Sequence, residues 1–277
     1  MSATPVTAPP VAARPSTGSG LSAPGVIRSE WIKLRSLRST VWSYAIVVVV
    51  SLGMAYLLSS ALGTSEFGAL VDSPEHTLLQ AATFGTTFGV LVVAVLGVLV
   101  ISGEYSTGMA RSTFTAVPKR LPALAAKAAV LFVTTFVVGL VSSIASGALA
   151  FAVLGSHGVH PEVTGEVIAG VLLASLYLAA VALFALGLGT ILRSSAGGIA
   201  AALGILLLLP TIVMVFASVT QAQWAADVIP YLLVSAGESM ILPSPDGLAL
   251  WESTLTVGLW AAVPLVIGAL LLKRRDV

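Results

Sequence analysis

Cysteine is absent from this chain of 277 residues, and charged side chains are scarce. Without cysteine there is no disulfide, no thiolate nucleophile and no cysteine-based metal site. Charged residues make up 9% of the chain, whereas a soluble domain carries roughly 25%. A chain that is 57% hydrophobic, with a mean hydropathy of +1.03, cannot bury its apolar surface in one soluble core. The composition therefore indicates a protein of the lipid bilayer.

Sequence motifs of common enzymes are also missing. No GxxxxGK(S/T) occurs, so the chain does not bind ATP through a P-loop of its own. HExxH is absent, and no base accompanies the serines of the apolar segments. His157, His160 and Glu162 have a spacing that metal sites use, but on a short loop such residues are more often a solvated surface. We expect no catalytic residue, no metal and no cofactor in this chain, and no nucleic acid among its partners.

Six long apolar runs dominate what is present. None of them contains Asp, Glu, Lys, Arg or His. A helix rises about 1.5 Å per residue, so roughly 20 residues cross a hydrocarbon core of about 30 Å. Backbone polar groups in lipid must bond within their own segment, which favours helices for runs of this length. The pattern predicts an all-α membrane domain over residues 41–277, with transmembrane helices near residues 41–61, 79–101, 128–154, 167–192, 198–218 and 255–272.

The distribution of basic residues predicts the orientation of this bundle. When alternate connections are assigned to opposite sides, one side receives all 13 Lys and Arg residues. The other side receives none of them and holds nine of the twelve Asp and Glu residues. Because Lys and Arg accumulate in cytoplasmic segments, we expect both termini in the cytoplasm. Frequent Ala, Val, Leu and Gly are typical of a GC-rich bacterial genome, so the predicted location is a bacterial plasma membrane.

Two segments precede the first predicted span. Residues 1–24 are mostly Pro, Ala, Ser, Thr and Gly, and they lack the apolar core of a signal peptide, so they predict a disordered tail. Residues 25–40 predict an amphipathic helix that lies in the inner membrane interface, with lipid as its partner. An ordinary basic flank that only sets the topology is the alternative. The residues that define this helix are the apolar Ile27, Trp31 and Leu34 and the basic Lys33.

Other residues suit close packing or bending of the spans. Small residues at every fourth position let helix backbones approach closely in lipid, either within the chain or at a dimer seam. They are Gly85 and Gly89 in the second span and Gly139, Ser143 and Gly147 in the third.

Pro210 in the fifth span and Pro264 in the sixth are hinge candidates, because proline removes a backbone donor. The apolar segment 219–254 predicts short helices on the outer side before the last span.

Three stretches carry a resemblance to a known family. SEWIKLRSLRSTVW precedes the first span, and ISGEYSTGMARSTFTAVPKR connects the second span to the third from Ile101 to Arg120. IPYLLVSAGESMI precedes the last span. In this order on six spans, they are similar to the ABC-2 type permease family, the membrane subunits of a class of ATP-driven exporters. The resemblance covers most of residues 28–277.

The resemblance implies a non-catalytic permease subunit. ATP and magnesium would bind a separate ATP-binding subunit, and a second permease copy or a paralogue would complete the transporter. The connection after the second span would be a coupling helix that docks on the ATP-binding subunit, with Glu104 at its start, where a carboxylate suits the helix dipole. Arg111 would contact the partner or pair with Glu104; a self-contained capped turn is the alternative. The implied interface residues are Glu104, Tyr105, Thr107, Gly108, Arg111 and Thr113.

The expected function is therefore export of a substrate across the plasma membrane. Charge-free spans suit a hydrophobic or amphipathic substrate. A self-contained secondary carrier or channel is the second interpretation, although no span offers a carboxylate for a coupling ion at the midplane. A membrane enzyme or assembly factor is the third, and no catalytic group in the sequence supports it.

Overall fold

The computed structural model describes residues 22–62, 73–106, 121–244 and 247–274, and all regular secondary structure in these ranges is helical. The tail predicted for residues 1–24 lies almost wholly outside the described residues. The α-helices are α1 (Ala23–Ser36), α2 (Arg38–Leu62), α3 (Pro74–Thr83), α4 (Thr86–Ser106), α5 (Leu121–Ser156), α6 (Gly165–Leu192), α7 (Ser195–Leu203), α8 (Leu209–Thr220), α9 (Gln223–Val228), α10 (Leu233–Ile241) and α11 (Leu250–Arg274). A π-helical turn, Gly204–Leu208, joins α7 to α8, and a 3-10 turn, Ile229–Tyr231, joins α9 to α10.

Six helical segments are long and apolar enough to cross a membrane, which confirms the number predicted from the sequence. Each contains one predicted apolar run. The side chains on the outside of the bundle are apolar, as in Val49, Leu57 and Ile212, each more than 60% exposed. A surface of this kind suits lipid, as in a multi-pass membrane protein. The spans are, in order, Arg38–Leu62, Pro74–Tyr105, Leu121–Ser156, Gly165–Leu192, Ser195–Thr220 and Leu250–Arg274.

Helix α6, the fourth span, is the centre of the bundle. It packs against α4, α5 and α11, and most of its side chains are buried. Phe184 is completely buried and meets Trp260 of α11 edge to face, with ring centroids 5.9 Å apart. In contrast, α8 in the fifth span has no buried residue. The core therefore lies around α6, and the fifth span is at its periphery.

The predicted packing residues make close contacts within the chain. A Cβ atom at Gly85 would lie 2.3 Å from the Cα of Ser51, so only glycine permits this approach of the second span to the first. Gly89 and Gly139 both face Leu178 of α6, and Gly147 faces Ala82 of α3. Ser143 is also buried. Each of these glycines thus lies where another helix of the same chain approaches closely.

The two hinge candidates lie in different surroundings. Pro210 follows the π-helical turn, where the Leu209 amide donates to the Gly204 carbonyl, and it lies in the exposed fifth span. The missing amide of Pro210 cannot close an α-helical bond, which explains the wider turn before it. Pro264 is buried inside α11, where a Cβ atom added to Gly187 would collide with its backbone. Packing therefore restrains Pro264 more than Pro210.

Short helices precede the last span, as the sequence predicted. Helix α9, the 3-10 turn and α10 follow the fifth span, and Pro230 lies within the 3-10 turn. The indole Nε1 of Trp260 donates to the Tyr231 carbonyl at 2.9 Å, which ties this turn to α11. Helix α10 then lies across α6, with Gly237 against the ring of Tyr177. These helices cover one end of the central span.

Candidate functional site

Helix α1 begins and ends earlier than predicted. The Ser22 hydroxyl accepts a hydrogen bond from the Gly25 amide at 3.3 Å, and Pro24 lies in the first turn. Both features favour a helix start at Ala23 rather than at residue 25. Leu37 has an extended backbone, with φ −79° and ψ 120°, which ends α1 at Ser36. The first span consequently starts at Arg38, three residues before the predicted apolar run.

The residues predicted to define an apolar stripe on α1 lie on two different faces. Leu34 is buried, together with Val26 and Glu30 at the preceding turns of the helix. Ile27 and Trp31 are 46% and 47% exposed. One face of α1 therefore packs on the protein, with Val26 against Ala123 and Ala126 of α5. The other face presents apolar side chains that are available to lipid.

Glu104 lies in the last turn of α4, not at the start of a new helix as predicted. The apolar run ends near residue 101, but the helix continues to Ser106. The carbonyl end of a helix disfavours a carboxylate, so the capping argument made from the sequence is wrong. Positive side chains must compensate for the charge at this position.

Two lysines provide that compensation. Lys33 of α1 and Lys127 of α5 donate to Glu104 Oε1 at 3.0 and 2.9 Å. The same two lysines also bind Glu30 of α1, with Lys33 2.8 Å from Oε1 and Lys127 2.5 Å from Oε2. Two carboxylates and two ammonium groups thus alternate around a ring. We refer to Glu30, Lys33, Glu104 and Lys127 as the charge cluster.

The charge cluster is largely shielded from solvent. The side chains of Glu30, Lys127 and Glu104 are 3%, 6% and 10% exposed, and that of Lys33 is 25% exposed. A cavity of about 390 Å³ borders all four residues. Buried ion pairs gain from mutual attraction only when each charge is well paired, and removal of one partner is strongly destabilising. Alternation of sign satisfies this requirement here.

Lys33 remains charged in this setting. Burial lowers the pKa of Lys33, but its hydrogen bonds to Glu30 and Glu104 outweigh that effect and raise the pKa above the ordinary value of 10.5. The ammonium form therefore persists throughout the physiological range. Lys33 therefore joins α1 to the end of α4 through its bonds to Glu30 and Glu104.

The end of the second span is also attached to the turn between the fourth and fifth spans. The guanidinium of Arg193 lies over the ring of Tyr105, 5.3 Å from its centroid. Ser195 donates to Ser102 at 2.8 Å. Arg193 caps α6 in a left-handed conformation, with φ 52°, which non-glycine residues adopt rarely. This conformation places Arg193 between α6 and the last turn of α4.

The structure describes only part of the predicted coupling interface. Glu104 and Tyr105 lie side by side at the end of α4, where they connect to different neighbours. The remaining predicted residues lie outside the described residues; they are Thr107, Gly108, Arg111 and Thr113. The predicted pair of Arg111 with Glu104 is likewise outside this range, and the described partners of Glu104 are the two lysines.

Sequence reasoning missed Glu30, Lys127 and Arg193 as members of this region. One signal was present, since Glu30 and Glu104 are two of only three acids on the side that carries all basic residues. An acid in an otherwise basic region calls for a specific partner. The partners themselves could not be identified, because Lys127 is 97 residues from Glu30 along the chain.

The predicted loop histidines have ordinary surroundings. His157 Nδ1 lies 2.8 Å from the Val153 carbonyl on the exposed end of α5. Among the described residues, no group of three or more His, Cys, Asp or Glu side chains could hold a metal ion.

No protein-family model matches the chain, and a search of curated proteins finds no match. The four groups of the charge cluster neutralise one another and fasten three helices together.

Proposed function

We propose that this chain is the membrane-spanning permease subunit of an ABC exporter in a bacterial plasma membrane. ATP and magnesium are bound by a separate ATP-binding subunit, and the complete transporter contains a second permease copy or a paralogue. The order of the three family-like stretches on six spans supports this proposal. The observation that carries this proposal is the charge cluster, whose Glu104 precedes segment 107–120 in the sequence.

The charge cluster supports a coupling role because it joins the parts that coupling requires. Glu104 is three residues before segment 107–120, which the resemblance identifies as the docking segment for the ATP-binding subunit. Through Lys33 and Lys127, Glu104 is bonded to α1 and to the start of the third span. A displacement of the docking segment is therefore transmitted to α1, α4 and α5 together.

The orientation follows from charge. All Lys and Arg residues fall on the side of the charge cluster, so this side is cytoplasmic and both termini are inside. On this side, the ATP-binding subunit and its nucleotide have access to segment 107–120. The exposed Ile27 and Trp31 of α1 lie in the inner membrane interface, while its opposite face holds Glu30.

A pull-down from native membranes, followed by ATPase and transport assays, tests the proposal. The tagged chain should copurify with a stoichiometric ATP-binding subunit, and transport should require ATP. Glu104→Gln keeps the size of the side chain but removes its charge, so transport per ATP hydrolysed should fall while membrane insertion stays normal. Glu162→Gln is the matched control, because Glu162 is an exposed acid at the opposite end of the bundle.

Two results would contradict the proposal in different ways. A chain that purifies alone and transports in liposomes without ATP is a self-contained carrier. A complex in which Glu104→Gln and Glu162→Gln show the same ATP-driven transport has a coupling route that does not use the charge cluster.

A further inference from the structure

A second cavity lies at the opposite end of the second span from the charge cluster. Its volume is about 520 Å³, and its walls come from the second span, from α6 and from α10. The part formed by Phe84 and Val90 is apolar, and the part formed by Tyr177, Ser235, Glu238 and Ser239 is polar. This volume falls in the range of about 300–1,000 Å³ that is typical of small-molecule sites.

Tyr177 brings an unused hydroxyl to this cavity. The residue is 3% exposed, and its hydroxyl has no hydrogen-bond partner among the described residues. Gly237 of α10 lies against its ring so closely that a Cβ atom there would be 2.3 Å from a ring carbon. A buried hydroxyl without a partner is costly, so its retention calls for an explanation. Because Tyr177 lines the cavity, a molecule bound there could supply the missing hydrogen-bond partner of its hydroxyl.

Glu238, whose side chain is in part exposed to solvent, contributes a negative charge to the same cavity. The structure shows no ion pair of Glu238 within the described ranges. No Lys, Arg or His occurs anywhere from residue 194 to residue 272, so this stretch of the chain offers Glu238 no cation. Partial desolvation by the surrounding protein raises the pKa of the Glu238 carboxyl above its ordinary value of 4.5. A cation in the cavity would relieve this cost.

The cavity reaches well into the bundle. Tyr177 is 12 residues after Gly165, the first residue of α6. At the helical rise, that distance corresponds to about 18 Å along the span. A ligand that contacts Tyr177 therefore lies well inside the bundle, with Phe84 and Val90 beside it.

We propose that this cavity binds a cationic amphipathic amine. The ammonium group forms a charge-assisted hydrogen bond with the Glu238 carboxylate and donates a second one to the Tyr177 hydroxyl. The hydrocarbon part of the ligand packs against Phe84 and Val90. This inference rests on the proposed function, for which it names the substrate class, and it narrows the expectation of a hydrophobic or amphipathic substrate to an amphipathic cation.

Binding of monodansylcadaverine tests the site without any ATPase. This probe has a primary amine at one end and an apolar fluorophore at the other, and its N-acetyl derivative has the same shape without the charge. With the chain in lipid nanodiscs, the amine should bind more tightly than the derivative. Glu238→Gln should weaken amine binding by roughly tenfold or more and leave the derivative unaffected, because the variant removes only the ion pair.

Two further variants complete the design. Asp227→Asn removes the same charge from an exposed acid of α9 that does not line the cavity, so it should bind the amine as the wild type does. Tyr177→Phe should weaken amine binding by several-fold without lowering the melting temperature, because the deleted hydroxyl has no hydrogen-bond partner in the described structure. Loss of binding together with loss of stability would instead indicate a purely structural tyrosine.

The outcomes separate this inference from the proposed function. Equal binding of the amine by Glu238→Gln and Asp227→Asn, or equal binding of the amine and its acetyl derivative, would overturn the site whatever the ATPase result. Binding that depends on Glu238 in a chain that never associates with an ATP-binding subunit would support the site and remove the ABC assignment.

Discussion

Glu104 illustrates how a single residue can be unfavourable locally and necessary globally. In the last turn of α4 the helix dipole opposes its charge, and burial adds a desolvation cost. The two lysines offset both effects, and they in turn depend on Glu30. Because each charge has two oppositely charged neighbours, no one pair in the charge cluster is independent of the others.

A double-mutant cycle on Glu104 and Lys127 should reveal this dependence. Glu104→Gln removes one of the two acids that Lys127 binds, so we expect a loss of about 1–3 kcal/mol in the free energy of unfolding. Lys127→Met should have a comparable effect, because it leaves two carboxylates with one cation. The double variant should lose less than the sum, with a coupling energy of about 0.5–3 kcal/mol. Unfolding by sodium dodecyl sulfate in mixed micelles measures these values.

The control for this cycle is an acid and a base that are not in contact, Glu162 and Lys127. Glu162→Gln combined with Lys127→Met should give additive losses, since Glu162 lies in the exposed connection between α5 and α6. Additive losses for Glu104 and Lys127 as well would contradict the cooperative arrangement inferred from the distances.

Glu238 predicts a dependence of stability on pH. Its carboxyl titrates at the ordinary value of 4.5 in the unfolded chain and at a raised pKa in the folded chain. The folded state is therefore penalised when the carboxyl ionises, and the penalty grows as the pH rises from 4.5 through the folded pKa. Glu238→Gln lacks this penalty. It should melt at a higher temperature than the wild type at pH 7, and the difference should close as the pH falls toward 4.5.

Ser235→Ala provides the comparison for the pH series, because Ser235 lines the same cavity without a titrating group. Its difference from the wild type should not change with pH. A Glu238→Gln variant that melts below the wild type at pH 7 would show that the carboxylate stabilises the fold rather than serving the cavity.

At the scale of elements, α1 is the least expected part of the fold. The sequence suggested a helix attached to lipid along one stripe, whereas the structure shows a helix with a buried, partly charged face and an exposed apolar face. Because α1 buries Glu30 together with Leu34, the other two predicted stripe residues, Ile27 and Trp31, lie on the exposed face. Such a helix is fixed to the third span by Lys127 and by the contacts of Val26, so we expect it to move together with α5.

Cysteine cross-linking should detect this attachment without background, because the natural chain has no cysteine. Val26 packs with Ala123 and Ala126 of α5. Val26→Cys with Ala123→Cys should be linked within the chain by a short bifunctional thiol reagent, as a shift in gel mobility shows. Ile27→Cys with Ala123→Cys is the matched control, because Ile27 lies on the exposed face and should be linked poorly. Equal linkage of the two pairs would contradict the placement of α1.

At the scale of the whole molecule, the six spans were predictable and the charge cluster was not. Uninterrupted apolar runs are a strong local signal, so each run falls inside one of the six observed spans. The exact helix ends depend on tertiary contacts: α4 continues past the apolar run to Ser106 because Glu104 finds cations on two other helices. Lys33 and Glu104 are 71 residues apart along the chain, and no local pattern joins them. For the same reason the sequence does not reveal that Tyr177 and Glu238 line one cavity, which forms only because α10 packs on α6.

Orientation is the property on which both proposals depend, and it can be measured with the same cysteine-free chain. His157→Cys lies in the exposed connection after the third span, and Ser29→Cys lies on the exposed side of α1. A membrane-impermeant maleimide applied to intact cells should label His157→Cys and leave Ser29→Cys unlabelled until the cells are lysed. The reverse pattern would place the charge cluster outside, where no ATP-binding subunit can reach it, and would open the Glu238 cavity to the cytoplasm. Labelling at both positions in intact cells would contradict the odd number of crossings between them, and with it the assignment of the first three spans.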